Sequence, residues 1–228
     1  MELTYTFHGH ACFSLEAGGT TLLFDPFLTG NPVAQVAADD VAADYILLSH
    51  GHFDHMPDAA AIAQRTGATV IGTLELVNWV NGQGAANIHG MQPGGSFRFP
   101  FGRVKLTIAH HGSMLPDGSY GGVAVGFIVD IGGKRVYYTG DTALFLDMQL
   151  YGEEGIDVLI LPIGDNFTMG PEDALRCVQF VKPKVVIPLH YDTWPPIAQD
   201  AAAFAAAVEA TGVQCIVAGV EQTQTIAL

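Results

Sequence analysis

Basic residues are scarce in this chain: nine Lys and Arg stand against 23 Asp and Glu, for a formal net charge of −14. Binding to long nucleic acid depends on Lys and Arg displacing counterions from phosphates, and no basic stripe occurs here. A long RNA or DNA partner is therefore not expected. No apolar run reaches the ~18–20 residues that a membrane helix needs, so no membrane partner is expected either. The start, Met1-Glu2-Leu3, has no basic segment followed by an apolar stretch. That argues against a signal peptide and sets the expectation of a cytoplasmic protein. Cysteine is sparse too. Cys12, Cys177 and Cys215 are far apart and odd in number, with no Cys-x-x-Cys pair. This argues against a disulfide framework or a zinc ribbon and leaves each as a small buried hydrophobe. Also missing are a Gly-x-Ser-x-Gly elbow, a P-loop, a His-Glu-x-x-His helix and a dinucleotide fingerprint.

Hydrophobic residues, by contrast, make up 49% of the 228, enough to bury a sizeable core. The chain opens with short strands at Leu3 to Phe7, Ala11 to Glu16 and Thr21 to Phe24, with a hairpin turn at Gly18-Gly19. Asp44 to Leu48 reads as a buried strand. A helix with Pro57 near its first turn then runs to Gly67, followed by a strand at Ala68 to Ile71 and a helix at Thr73 to Val80. The second half repeats this order. Strands are expected at Ser96 to Phe99, Val104 to Ala109, Val123 to Asp130 and Arg135 to Tyr138. A helix follows at Ala143 to Tyr151, a strand at Val158 to Leu161, a helix at Pro171 to Val181 and a strand at Val185 to Pro188. An Ala-rich helix around Ala198 to Ala210 and short strands near Gln214 to Val217 and Gln224 to Ala227 finish the chain. Strands first and helices later in each half suit a two-sheet sandwich with helices outside.

One segment carries chemistry. Ser49-His50-Gly51-His52-Phe53-Asp54-His55 places three of the nine histidines and a carboxylate within six positions, directly after an apolar strand. Imidazole and carboxylate together suit divalent transition metals. In extended chain His50 and His52 point the same way and can reach one ion. Asp54 and His55 follow at the turn into the helix and can serve a neighbouring position. Gly51 lets the backbone bend between the first two.

His-x-His-x-Asp-His after a buried strand resembles the signature of the metallo-β-lactamase superfamily. The likeness extends through Gly9-His10-Ala11, the segment Phe24 to Pro32, Tyr138-Thr139-Gly140-Asp141-Thr142, the segment Pro162 to Pro171 and Ile187-Pro188-Leu189-His190-Tyr191. Within the superfamily the chain is similar to small bacterial and archaeal metal-dependent hydrolases related to the ascorbate-phosphate lactonases. The resemblance implies a four-layer αββα sandwich forming a single domain over 1–228. Its two pseudo-repeated halves would span roughly 1–90 and 91–228, with the site along one edge.

The resemblance also extends the ligand set. Ala109-His110-His111-Gly112 offers two candidates for a further ligand. Neighbours on a strand face opposite ways. Relatives carry an aromatic residue before a single His, which assigns the role to His111 and leaves His110 at the pocket rim. Asp141 matches a carboxylate bridging two ions; on the sequence alone it is equally an N-cap for the following helix. His190, alone as much a structural as a functional residue, matches the final ligand. The resemblance thus implies His50, His52 and His111 on one ion, Asp54, His55 and His190 on a second, and Asp141 between them. Asp25 is expected behind the ligands, accepting a ring N–H, or else starting a turn. His10 is a candidate to orient a ligand or donate a proton, and Asp54 to act in catalysis as well as binding. Asp165, Asn166 and Thr168 are expected to touch substrate or rim the pocket, or else only to cap the helix at Pro171.

One or two divalent ions are therefore expected, Zn²⁺ first, with Mn²⁺, Fe²⁺ and Ni²⁺ as alternatives. Water activated there would attack a small ester, lactone or phosphoester. Iron-based redox chemistry, a phosphodiesterase or nuclease, and a non-catalytic metal module are the competing readings. Flavodiiron relatives carry a carboxylate where this chain has His52, which favours hydrolysis. A small-molecule substrate is the expected partner, and a homo-oligomer is allowed for.

Overall fold

Alternating apolar side chains along the early strands and unbroken apolar runs along the later ones build two sheets with a shared core. The computed structural model describes residues 2–227. The first half contains β1 (Thr4–Gly9), β2 (Cys12–Ala17), β3 (Thr20–Phe24), β4 (Tyr45–Leu47), α1 (Ala59–Thr66), β5 (Thr69–Thr73), α2 (Leu74–Gly82) and β6 (Ile88–Met91). The second contains β7 (Ser96–Phe99), β8 (Gly102–Ile108), β9 (Val125–Ile131), β10 (Lys134–Tyr138), α3 (Met148–Gly152), β11 (Val158–Pro162), α4 (Pro171–Val181), β12 (Val185–Leu189), α5 (Ala201–Glu209), β13 (Gln214–Cys215) and β14 (Thr223–Thr225).

The strand orders are β14-β1-β2-β3-β4-β5-β6 and β13-β12-β11-β10-β9-β8-β7. Each sheet is antiparallel up to a pivot strand, β3 or β10, and parallel beyond it. β1, β3 and β4 therefore run the same way, as do β8, β10, β11 and β12. Parallel strands are covered on both faces, and every residue of β11 and β12 is buried accordingly. One apolar cluster packs α1 and α2 on the first sheet, another packs α3, α4 and α5 on the second, and a third lies between the sheets. These are the four layers αββα.

Aromatic packing in the central cluster reaches the functional edge. Phe13 and Phe24 stack with centroids 4.4 Å apart, and Tyr138 meets them edge-on at 5.1 and 5.8 Å. Each such ring contributes roughly 1.5–3 kcal/mol by burial. The packing also aims the Tyr138 hydroxyl at Asp25, 2.7 Å away.

Three elements differ from the sequence reading. β6 was not expected; it pairs in parallel with β5 from Ile88 to Met91. α3 begins at Met148 rather than Ala143. Residues 142 and 143 give their backbone groups to other loops, with Ala143 N donating to His110 O and Met169 N to Thr142 O, so a helix cannot propagate through them. α5 begins at Ala201, where the Asp200 carboxylate accepts from Ala203 N at 2.9 Å as an N-cap.

Candidate metal centre

The expected site residues follow the C-terminal ends of strands that run the same way, the usual place for a site in an open α/β sheet. His10 follows β1, Asp25 follows β3, the His50 to His55 segment follows β4, His111 follows β8, Asp141 follows β10 and His190 follows β12. Sharp exits from the strands place them. His10, Asp25 and His190 have φ of 59°, 41° and 57°. That left-handed region costs a non-glycine residue about 1–3 kcal/mol and persists where surroundings enforce it. Gly140, just before Asp141, has φ 63°, and a Cβ there would lie 2.4 Å from Val125 O. Gly51 is not in the left-handed region; its missing side chain instead admits the backbone of Met114, whose carbonyl would lie 3.2 Å from a Cβ.

Asp25 organises the motif from behind. Fully buried, it accepts from Ser49 N (2.8 Å), Ser49 Oγ (2.6 Å), Tyr138 OH (2.7 Å) and His55 Nδ1 (2.9 Å). The Ser49 hydroxyl hydrogen goes to Asp25, so its oxygen accepts from His50 Nδ1 at 2.9 Å. One carboxylate thereby fixes Nδ1 as the protonated nitrogen of the neutral His50 and His55 rings and directs their Nε2 lone pairs inward.

Those lone pairs converge with others. His50 Nε2 lies 3.0 Å from His52 Nδ1, which lies 3.3 Å from His111 Nε2. Nitrogens sharing one tetrahedral zinc at ~2.0–2.1 Å would be about 3.3 Å apart. Nearby, Asp54, His55 and His190 offer atoms within 4.8 Å of one another and of His10. Asp141 Oδ2 is 3.0 Å from His190 Nε2, 3.2 Å from His55 Nε2 and 3.7 Å from His111 Nε2. His55 Nε2, Asp141 Oδ1 and both ring nitrogens of His190 are buried without aligned hydrogen-bond partners. A buried unpaired polar atom costs about 1–3 kcal/mol, so His55 Nε2, His190 Nε2 and Asp141 Oδ1, on three neighbouring residues, suit a shared cation. The chain thus holds a His/Asp cluster able to bind a metal.

The electrostatics agree. Burial pushes His50 far below the ordinary imidazole value, helped by His55, and also lowers His52 and His111. All three are neutral, as a metal ligand must be. Burial would raise Asp141, but His190 and His55 outweigh it and hold its carboxyl well below the usual range. Burial opposes charge on His55 too, yet Asp141 and Asp25 push it well above the ordinary value, so without a cation its Nε2 also carries a proton, which a metal bound there would displace. Asp54 is held ionised against burial, chiefly by its hydrogen bond from His10.

His10 occupies a position behind Asp54. Burial and neighbouring His190 push it down to about 4, so it is neutral. Its Nε2–H donates to Asp54 Oδ2 at 3.1 Å, which leaves Nδ1 to accept from the Thr193 hydroxyl at 2.8 Å. It is fully buried and does not line the open cavity, which fits orienting Asp54 rather than donating a proton to substrate.

A cavity of about 460 Å³ opens over the cluster, with His52, Asp54, His111, Asp141 and His190 at its base. Its walls differ from the sequence reading. Asp165 and Asn166, at φ 59° and 37°, turn the chain so that Phe167 meets the cavity, while Asp165, Asn166 and Thr168 do not. His110 points away, exposed and 4.7 Å from the Phe145 ring, whereas His111 faces the cluster. The sequence reading also passed over Ser49, Tyr138 and Thr193 as supports, and Phe53, Met114, Trp194 and Pro196 as walls. Phe53 within the motif was the one signal available; the rest are ordinary loop residues until the fold aims them.

A Beta-lactamase superfamily domain matches residues 4–190. A UPF0173 metal-dependent hydrolase of Carboxydothermus hydrogenoformans is 52% identical over 211 residues, covering 91% of this chain and 93% of the relative. One from Heliobacterium modesticaldum is 49% identical over 233 residues, 98% of each chain. Among solved structures, Igni18, described as a novel metallo hydrolase from Ignicoccus hospitalis, superposes with a TM-score of 0.91 at 33% identity, covering 100% of both chains. An isothiocyanate hydrolase from Delia radicum gut bacteria shares the fold at a TM-score of 0.76 and 21% identity, covering 98% of this chain and 99% of that one. These matches run through every strand that carries a converging His or Asp, and the chain belongs to the metallo-β-lactamase superfamily, among its UPF0173 metal-dependent hydrolases.

Proposed function

We propose that this chain hydrolyses a small ester, lactone or phosphoester with one or two divalent cations held at the His/Asp cluster. In this reading His50, His52 and His111 would hold one ion and Asp54, His55 and His190 the other, with Asp141 available to both. The observation that carries it is the contact of one Asp141 oxygen with His190, His55 and His111, at 3.0, 3.2 and 3.7 Å. Zinc suits this nitrogen and oxygen donor set, with manganese, iron(II) and nickel as alternatives. A divalent ion there would supply Lewis acidity and lower the pKa of water towards about 7.

The protein's own groups do the rest. Asp25 sets the tautomers of His50 and His55 through Ser49 Oγ and its own Oδ2. His10 fixes the Asp54 carboxylate, which lines the cavity and can take a proton from the attacking water. His52 presents imidazole rather than carboxylate to the first cluster, which supports hydrolysis over iron redox chemistry.

Elemental analysis of protein purified without added metal, followed by turnover on ester, lactone, thioester and phosphodiester panels, tests the proposal. One or two equivalents of metal and chelator-sensitive hydrolysis are expected. A metal-loaded protein inert on every panel would overturn it, and stoichiometric iron with oxygen-dependent turnover would favour redox chemistry instead.

A further inference from the structure

The cavity over the cluster is walled by apolar side chains that the fold leaves in the open. Phe53, Met114 and Phe167 are 62%, 59% and 55% exposed, and they come from the connections after β4, β8 and β11. Trp194, from the connection after β12, packs 6.1 Å from Phe53. Large apolar groups gathered from four separate loops around one opening mark a binding surface. Phe167 is held there by two consecutive left-handed residues, Asp165 and Asn166, a conformation kept only where the surroundings enforce it.

Charge points the same way. None of the nine Lys and Arg lines the cavity. Lys134, Arg135, Lys182 and Lys184 lie at the opposite ends of the strands, before or at the start of β10 and β12. Arg103 and Lys105 are engaged by Glu154, and Arg65 by the carbonyls of Ala38 and Val41. A phosphate or carboxylate on the distal part of a substrate would shed its water against Phe53, Met114 and Phe167 with no cationic side chain to meet it. A neutral apolar group would lose nothing and cover the exposed rings.

We propose that these walls form a subsite for an uncharged apolar group, so that the substrate is a neutral carboxylic ester or lactone bearing an aromatic or aliphatic substituent. This rests on the hydrolase reading above and narrows it, setting aside the phosphorylated substrates that the likeness to ascorbate-phosphate lactonases would suggest. In the reaction, the oxygen of water bonds to the acyl carbon, and the acyl–oxygen bond breaks with its electron pair on the leaving oxygen. One water proton stays on the new carboxyl group before ionisation, and the other passes to the leaving oxygen.

The test compares the metal-loaded protein on 4-nitrophenyl pentanoate and mono-4-nitrophenyl adipate, which share a leaving group and differ by a carboxylate at the distal end of the acyl chain. The expected kcat/KM favours pentanoate by roughly tenfold or more, and Phe167→Ala and Met114→Ala each shrink that preference severalfold. Equal or better turnover of the adipate overturns the inference while leaving the hydrolase reading intact. A second measurement needs no turnover. In a Trp79→Phe background Trp194 is the one remaining tryptophan, and its emission reports binding of 4-phenylbutanamide and of 4-(4-carboxyphenyl)butanamide. Saturable binding of the neutral amide, roughly tenfold tighter than the carboxylated one and weakened by Phe167→Ala, is expected. No saturable binding of the neutral amide, or no preference for it, overturns the subsite. Neutral-amide binding without any ester hydrolysis would sustain the subsite and count against the hydrolase reading.

Discussion

The first sheet delivers four of the converging His and Asp groups from a single loop after β4, whereas the second delivers three from three separate connections, after β8, β10 and β12. The two arrangements are held differently. In the first, one buried carboxylate, Asp25, fixes Ser49, His50 and His55 together through hydrogen bonds of 2.6 to 2.9 Å. In the second, each group depends on its own exit from a strand. Asp141 follows a left-handed glycine, and His190 is itself left-handed, with its N–H donated to His10 O at 2.8 Å. A local cluster can be organised by one residue behind it. A dispersed one is organised by the packing of the two sheets, which Ser49 O ties directly by accepting from Val125 N at 3.0 Å.

Asp141→Asn strikes the point where the two arrangements meet. It should lower bound metal at both positions and reduce hydrolysis by more than about 100-fold, beyond the usual effect of a supporting residue. His52→Ala should instead deplete one position, and elemental analysis separates the two outcomes. Asp25→Asn sharpens the contrast next. Removing a charged acceptor from four buried donors should weaken metal affinity by about 10–100-fold. It should also destabilise the metal-free protein by about 1–3 kcal/mol, read from urea unfolding. The opposite outcome, lower affinity from Asp25→Asn with unchanged stability, would mean that Asp25 tunes the histidines without holding the loop. On the second sheet, Gly140→Ala forces a Cβ to 2.4 Å from Val125 O at a φ of 63° and should cost about 1–3 kcal/mol. At roughly 2–4 °C per kcal/mol for a chain of this size, thermal unfolding would show it. The smallest effect belongs to His110→Ala. It should leave metal content unchanged and stability within about 0.5 kcal/mol, while His111→Ala loses metal. Equal metal loss from both would place the dispersed arrangement differently from the geometry described.

Legibility followed the same divide. The His50 to His55 segment could be read because its donors are neighbours in the chain and follow an apolar strand. Most strands could be read because period-two patterning and glycine turns are local. β6 escaped because Ile88-His89-Gly90-Met91 has little patterning and exists by pairing with β5. The choice between His110 and His111 could be framed from strand alternation, but the contact of His111 with His52 is what separates them in space. The polar residues of the loop after β11 point on sequence to a substrate contact, but the cavity meets Phe167, because two left-handed residues reverse the direction of the side chains.

By itself, then, the sequence determined the alternation of strands and helices, the −14 charge and the spacing of the His50 to His55 donors, all properties of near neighbours along the chain. Only the tertiary structure decided that Asp141, His111 and His190 meet that loop, that Asp25 sets its tautomers, and that apolar rings rather than polar loop residues wall the cavity. The reason is physical. Side-chain direction at the end of a strand is set by backbone angles and contacts that distant parts of the chain impose.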